Sequence, residues 1–219
     1  MAKLGVSVLN ADLAHLADQV KLVEPYADLI HIDVMDAHFV PPLTIGPAVV
    51  RSLRPWTEVT LACHLMVERP EHLFEDLAEA GTQLVTFHVE SQPDSGPVIR
   101  KARDAGMKTG LAVSPETPID DVLPHLEDLD NVIVMSVHPG WGGQAFISDV
   151  IPKISEAREL IDRRGLSVDV EMDGGIDEET GRRCLEAGAT VLTAGSAIYA
   201  ADDPAEAAKR LARLVKEAA

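Results

Sequence analysis

Histidine and aspartate alternate in LIHIDVM at 29–35. Successive side chains of a strand point to opposite faces, so His31, Asp33 and Met35 share one face and Ile30, Ile32 and Val34 the other. An imidazole and a carboxylate on one strand face can ligate a metal ion or move protons, whereas burying them unpartnered is costly. VTLACHLM at 59–66 repeats the pattern, with His64 and Met66 opposite Leu61, Cys63 and Leu65. SVDVEMD at 167–173 ends with Glu171 and Asp173 on one face, opposite Val170 and Met172. Ser7 lies late in LGVSVL at 4–9, facing away from Val6 and Val8. Imidazole and carboxylate donors suit a borderline divalent ion such as Zn²⁺, Mn²⁺, Fe²⁺ or Co²⁺. The candidate ligands are His31, Asp33, His64 and Asp173. His88 reads instead as a hydrogen-bonded core histidine. Glu171, one layer deeper than Asp173, reads as a structural carboxylate or one that steadies a ligand.

Such residues meet only if their strands do. Short apolar segments recur at 4–9, 28–35, 59–66, 83–90, 108–113, 131–137, 167–173 and 190–195, with helical patterns between them. In the first of these, Leu13, Leu16, Val20 and Val23 recur at helical spacing. Three helices are expected to end in the same punctuation, at Gly81, Gly106 and Gly188, where a left-handed cap precedes the next strand. The last is expected to begin with Asp203 as N-cap and Pro204 at its first position. Eight strand–helix units across 219 residues average about 27 residues each, and no linker interrupts them. The beat predicts an α/β fold, a single (β/α)8 TIM barrel spanning 1–219, rather than an open sheet, whose glycine fingerprint is missing after the first strand. In a barrel the sites lie at the C-terminal rim, where the candidate ligands converge.

Glycine-bearing loops follow the sixth, seventh and eighth segments: HPGWGGQ at 138–144, DGGI at 173–176 and AGSA at 194–197. The last two occupy positions where this fold binds phosphate. Backbone N–H groups of Gly174, Gly175, Gly195 and Ser196, with the Ser196 hydroxyl, are candidates for gripping an anion, since none of these loops holds a lysine or arginine. Gly140, Trp141, Gly142 and Gly143 read as a mobile flap: glycine hinges around an aromatic.

The formal net charge of −17 argues against nucleic-acid and anionic-membrane partners. No run reaches the length of a membrane span, and no signal peptide is legible. Two cysteines, Cys63 and Cys184, read as reduced core residues, as expected of a cytoplasmic protein.

With these residues in view, the chain resembles the ribulose-phosphate 3-epimerase family. The resemblance runs nearly end to end, through VSVLNADLAHL, HIDVMDAHFVPPLTIGP, CHLMVERP, VMSVHPGWGGQAF, EMDGGI and TAGSAIY. It implies an isomerase of the pentose phosphate pathway with one divalent ion per subunit on His31, Asp33, His64 and Asp173. Asp33 would accept the proton and Asp173 donate one, inverting C3 of ribulose 5-phosphate through an enediolate that the ion stabilises. It also implies substrate contacts from Ser7 and His64, and from Met35, Met66 and Met135 near the reacting carbons. Gly140 to Gly143, Gly174, Gly175, Gly195 and Ser196 match the substrate- and phosphate-binding segments. The family forms dimers or hexamers, so a homo-oligomer is implied.

Ala37 stands where the family has glycine, tolerable unless the backbone needs a positive φ. Ala62 replaces an aspartate, Asn10 a serine, Leu13 a phenylalanine, Ser114 and His138 asparagines and Trp141 a phenylalanine. These changes leave the ligands intact and bear on substrate preference, so a related 3-epimerase acting on a hexulose 6-phosphate is the alternative. A decarboxylase or aldolase-type synthase calls for a lysine at the reacting carbon. The strand lysines, Lys3 and Lys108, sit at strand starts, the wrong end. A non-catalytic sugar-phosphate binder predicts a damaged ligand quartet, and this one is intact.

Overall fold

Strands separated by helical crossovers pair in parallel and need cover on both faces. The computed structural model describes residues 2–218. Eight parallel strands close in chain order: β1 (Lys3–Ser7), β2 (Leu29–Met35), β3 (Thr60–Met66), β4 (Leu84–His88), β5 (Lys108–Val113), β6 (Asn131–Met135), β7 (Asp169–Asp173) and β8 (Val191–Ala194), with β8 returning to β1. Around them run α1 (Leu16–Val23), α2 (Pro47–Leu53), α3 (Phe74–Glu79), α4 (Ser95–Asp104), α5 (Ile151–Arg164), α6 (Glu178–Glu186), α7 (Ser196–Tyr199) and α8 (Pro204–Glu217). The expected (β/α)8 barrel is the fold.

Outward strand residues such as Ile30, Ile32, Cys63 and Leu65 form one buried layer with the helices. Inward residues stack in tiers. Leu29, Ala62, Leu84 and Val191 close the N-terminal end, where Lys3 Nζ meets Asp169 at 2.5 Å. Above them lie Thr193, Asn131, Glu171 and His31, all buried. Gly5 makes room in this tier, since a Cβ there would strike the Thr193 hydroxyl.

Local chemistry explains most helix boundaries. Gly81, Gly106 and Gly188 take positive φ after α3, α4 and α6, and Asp203 caps α8 by accepting the Glu206 N–H. Two expectations change. Leu13 is 44% exposed, outside the buried stripe of Leu16, Val20 and Val23. The Asp12 carboxylate accepts the Ala14 N–H and closes a 3₁₀ turn there, so α1 starts later. Between β5 and β6 the chain forms only 3₁₀ turns, Ile119–Asp121 and Leu123–Asp128, in place of an α-helix. Pro124, midway along 119–128, withholds an N–H that a continuous α-helical ladder there would need.

Candidate active site

Register brings the polar residues together. Asp33 pairs directly with His64, and Ser7 with His31, in neighbouring strands, while Asp173 ends β7 opposite Met135 and Thr193. Each of His31, Asp33, His64 and Asp173 offers a ligand atom, and those four atoms lie within 4.8 Å of one another. Nε2 of His31 is 3.4 Å from Asp33 Oδ1 and 3.5 Å from Asp173 Oδ2. Nδ1 of His64 is 3.6 Å and 3.3 Å from the same two oxygens. These gaps exceed the ~2.7–2.9 Å of a charge-assisted hydrogen bond. Among the described residues, neither buried nitrogen has a hydrogen-bond partner.

Orphaned buried nitrogens facing two carboxylates demand a partner. Four ligands about 2.1 Å from a central ion, arranged tetrahedrally, stand about 3.4 Å apart. The four imidazole–carboxylate separations, 3.3 to 3.6 Å, match that spacing. The cluster could hold a divalent ion. Burial opposes charge on His31 and His64, yet the Asp33 and Asp173 carboxylates raise both imidazoles above their ordinary value, His31 well above. Burial likewise opposes the Asp33 carboxylate, and the two imidazoles hold it well below the usual range. The site is therefore built for a cation, protons or metal.

Surrounding groups fix the cluster. Ser7 Oγ donates to Asp33 Oδ2 at 2.7 Å, and Thr44 Oγ1 donates to the Asp33 carbonyl at 2.6 Å. His31 Nδ1 donates to Glu171 Oε1 at 3.0 Å, which turns its Nε2 to the cluster. Glu171 also accepts from Thr193 Oγ1 and Asn131 Nδ2, each at 2.6 Å. Burial opposes its charge, but these donors, His31 foremost, hold its carboxyl below the ordinary value. Glu171 thus takes the steadying role expected of it. His88 is hydrogen-bonded and fully buried, as expected, with His64 2.9 Å from its Nε2 and Glu90 3.0 Å from its Nδ1.

Above the cluster opens a cleft. Ser7, Asp33 and Asp173 line it, as do Met35, Met66 and Met135, Gly140 to Gly143, Gly174, Gly175, Gly195 and Ser196. His64 lies beneath, buried against both aspartates. The cleft thus gathers the expected substrate-binding residues apart from His64, which the two aspartates cover. The loop after β7 depends on glycine: Gly174 and Gly175 have φ of 110° and 60°, and a Cβ on Gly175 would press to 2.9 Å on the Phe146 backbone. Ser136 Oγ donates to the Gly174 carbonyl at 2.5 Å and so pins that loop to β6. Gln144 Nε2 donates to the His138 and Trp141 carbonyls, folding segment 138–144 on itself with Trp141 61% exposed at the mouth. Asn10 and Gln144 also line the cleft and were not singled out from the sequence. Asn10 was visible only as a departure from a serine, and Gln144 only as the end of a glycine loop.

Ala37 meets the condition under which alanine is not freely tolerated. Its φ is 59°, the conformation in which alanine is strained. Asp36 imposes it by accepting the N–H groups of His38, Phe39 and Glu68, while the Ala37 N–H reaches the Pro42 carbonyl.

Comparison with known proteins agrees with this geometry. The family model described as "Ribulose-phosphate 3 epimerase family" matches residues 3–199. Ribulose-phosphate 3-epimerase of Mycobacterium tuberculosis is 47% identical over 213 residues, covering 96% of this chain and 91% of the relative. Its Bacillus subtilis counterpart is 43% identical over 205 residues, covering 93% and 94%. Among solved structures, 3-hexulose-6-phosphate synthase from Salmonella typhimurium superposes with a TM-score of 0.75 at 19% identity, covering 99% of this chain and 100% of that one, a likeness of fold alone. The chain is a (β/α)8-barrel isomerase that belongs to the ribulose-phosphate 3-epimerase family.

Proposed function

We propose that the chain interconverts D-ribulose 5-phosphate and D-xylulose 5-phosphate, and the observation that carries this reading is the meeting of Asp33 and Asp173 in one cleft. Inversion at C3 removes the proton beside the C2 carbonyl and returns one to the opposite face, which calls for two bases. Asp33 takes the C3 proton on Oδ2, the oxygen held by Ser7 Oγ at 2.7 Å, because Oδ1 faces the imidazoles. Asp173, arriving from β7, returns a proton from the oxygen not turned to His64 and His31. One turnover leaves Asp33 protonated and Asp173 ionised, so the reverse reaction starts from that state and exchange with water resets the pair. Held by His31, Asp33, His64 and Asp173, a divalent ion would supply Lewis-acid charge for the oxyanion that forms as the proton leaves, worth several kcal/mol. The buried methionines Met35, Met66 and Met135 keep the floor apolar, which strengthens these interactions.

The phosphate belongs at the other side of the cleft, against Gly174, Gly175, Gly195 and Ser196. The Ser196 and Ala197 N–H groups open the first turn of α7 and would donate to the anion, while the Ile198 N–H is taken by the Gly195 carbonyl, and Trp141 would close over the sugar. Decarboxylase or aldolase-type chemistry through a lysine finds no support, since Lys3 and Lys108 flank the opposite end of the barrel. A second reading, a hexulose 6-phosphate 3-epimerase, draws on His138 and Trp141, departures that sit exposed at the cleft mouth. The enzyme is proposed to work in the cytoplasm, in keeping with two buried, unpaired cysteines, and as a homo-oligomer, dimer or hexamer.

The test is proton NMR in D₂O with ribulose 5-phosphate on metal-loaded, chelator-stripped and Asp33→Asn samples. Deuterium at C3 together with xylulose 5-phosphate is expected from the loaded protein alone. No exchange in that sample refutes the pentulose reading, and hexulose phosphates in the same assay decide the second.

A further inference from the structure

An imidazole that ligates an ion must carry its proton on the far nitrogen, and what that nitrogen meets sets the choice. For His31 the far nitrogen meets Glu171, a carboxylate that only accepts. For His64 it meets another ring. Nε2 of His64 lies 2.9 Å from Nε2 of His88, with the ring planes 20° from parallel. One proton joins those nitrogens, and the contact alone does not say which ring owns it. The answer lies one group further on. Nδ1 of His88 is 3.0 Å from Oε2 of Glu90. An ionised carboxylate accepts only, so His88 keeps its proton on Nδ1 and offers Nε2 as acceptor. Nε2 of His64 must then be the donor, which leaves a free lone pair on His64 Nδ1, toward Asp33 and Asp173. Glu90 is itself anchored: its Oε1 accepts the Ser114 N–H at 2.7 Å and the Thr117 hydroxyl at 2.5 Å. Lys153 Nζ steadies that segment through the carbonyls of Ser114, Pro115 and Thr117.

We propose that His88 and Glu90 are positioning residues, a relay Glu90–His88–His64 that orders two protons so that His64 presents an unprotonated Nδ1 to a divalent ion. The proposal rests on reading the four-residue cluster as a metal site. His88 and Glu90 stand outside the cleft lining, so they act on the ion only through His64. The relay runs from a fully buried ring to a carboxylate whose side chain is 26% exposed, so its far end can be altered without opening the core.

The experiment compares wild type, His88→Phe and Glu90→Gln, with zinc and cobalt(II) ions as probes. Competition with a chelator measures zinc affinity, visible absorption reports the cobalt(II) site, and long-range ¹H–¹⁵N spectra of zinc-loaded wild type locate the His88 proton. That proton is expected on Nδ1. Zinc affinity should fall about 10–100-fold in His88→Phe and by a smaller factor in Glu90→Gln. The cobalt(II) spectrum should shift in both, while KM for ribulose 5-phosphate at saturating zinc stays unchanged. A His88 proton on Nε2, or unaltered zinc affinity in folded Glu90→Gln, overturns the relay. Should His88→Phe fail to fold, Glu90→Gln decides by itself. A wild type that takes up neither ion overturns the metal site, whereas tight wild-type binding matched by both variants overturns the relay alone.

Discussion

Replacing Ala37 by glycine should stabilise the protein. Ala37 holds φ at 59°, where an L side chain costs ~1–2 kcal/mol through the clash of its Cβ with the following carbonyl. Glycine escapes that clash but adds unfolded-state freedom worth about 0.4–1 kcal/mol. The residue is exposed and its methyl contributes little packing, so the net gain should be about 0.5–1 kcal/mol. For a chain of this size that means a rise in Tm of about 1–4 °C. Urea unfolding should show a higher midpoint at an unchanged m value, which separates native-state relief from a change in the unfolded ensemble. Ala37→Val provides the opposite arm, because a β-branched residue at positive φ is worse than alanine. A glycine variant that is neutral or weaker at constant m, or a valine variant as stable as wild type, would refute the argument that Asp36 and its three N–H donors force this conformation.

Glu171→Gln keeps the shape beside His31 but removes the charge that orients it, so zinc affinity measured by competition should fall about 10–100-fold. Unchanged affinity would remove Glu171 from the site. Zinc at a hundredfold excess over its Kd should add about 2.7 kcal/mol of stability, seen as a melting shift that a chelator reverses. That shift should shrink as pH falls, because His31 and His64, raised by Asp33 and Asp173 against the burial that opposes their charge, must lose protons to ligate. Burial pushes the Cys63 and Cys184 thiols up to about 11 and about 12, so neither should be alkylated at pH 8 until the protein unfolds, by mass spectrometry. Burial opposes the Glu90 carboxylate, yet His88, Thr117 and Ser114 hold it down at about 2, below its ordinary 4.5. The unfolded chain therefore binds this proton first, and the stability from Glu90 is complete above 4.5 and lost as pH falls toward 2. Acid titrations of unfolding free energy should show a shallower fall over that window in Glu90→Gln.

The candidate quartet of His31, Asp33, His64 and Asp173, the barrel and the glycine loops were legible in the sequence because each is written at short range. A strand's period of two puts His31 with Asp33, and His64 with Met66, on one face whatever the rest of the chain does. Eight strand beats with helices between them leave few closed arrangements, and the C-terminal rim of each strand is where such residues collect. The helix caps at Asp203, Gly81 and Gly188 are equally local. What the tertiary structure alone decided depends on contacts between strands far apart in sequence. Glu171 could be named as a supporting carboxylate, but its donors Asn131 and Thr193 follow from the register of β6 and β8. His88 looked like any core histidine until β4 came beside β3 and brought its Nε2 to 2.9 Å from His64 Nε2. The strain at Ala37 likewise depends on Glu68, thirty-two positions from Asp36, donating its N–H to that carboxylate. Sequence period sets which face a side chain takes. Barrel closure and register, which are long-range, set which other side chain it meets there.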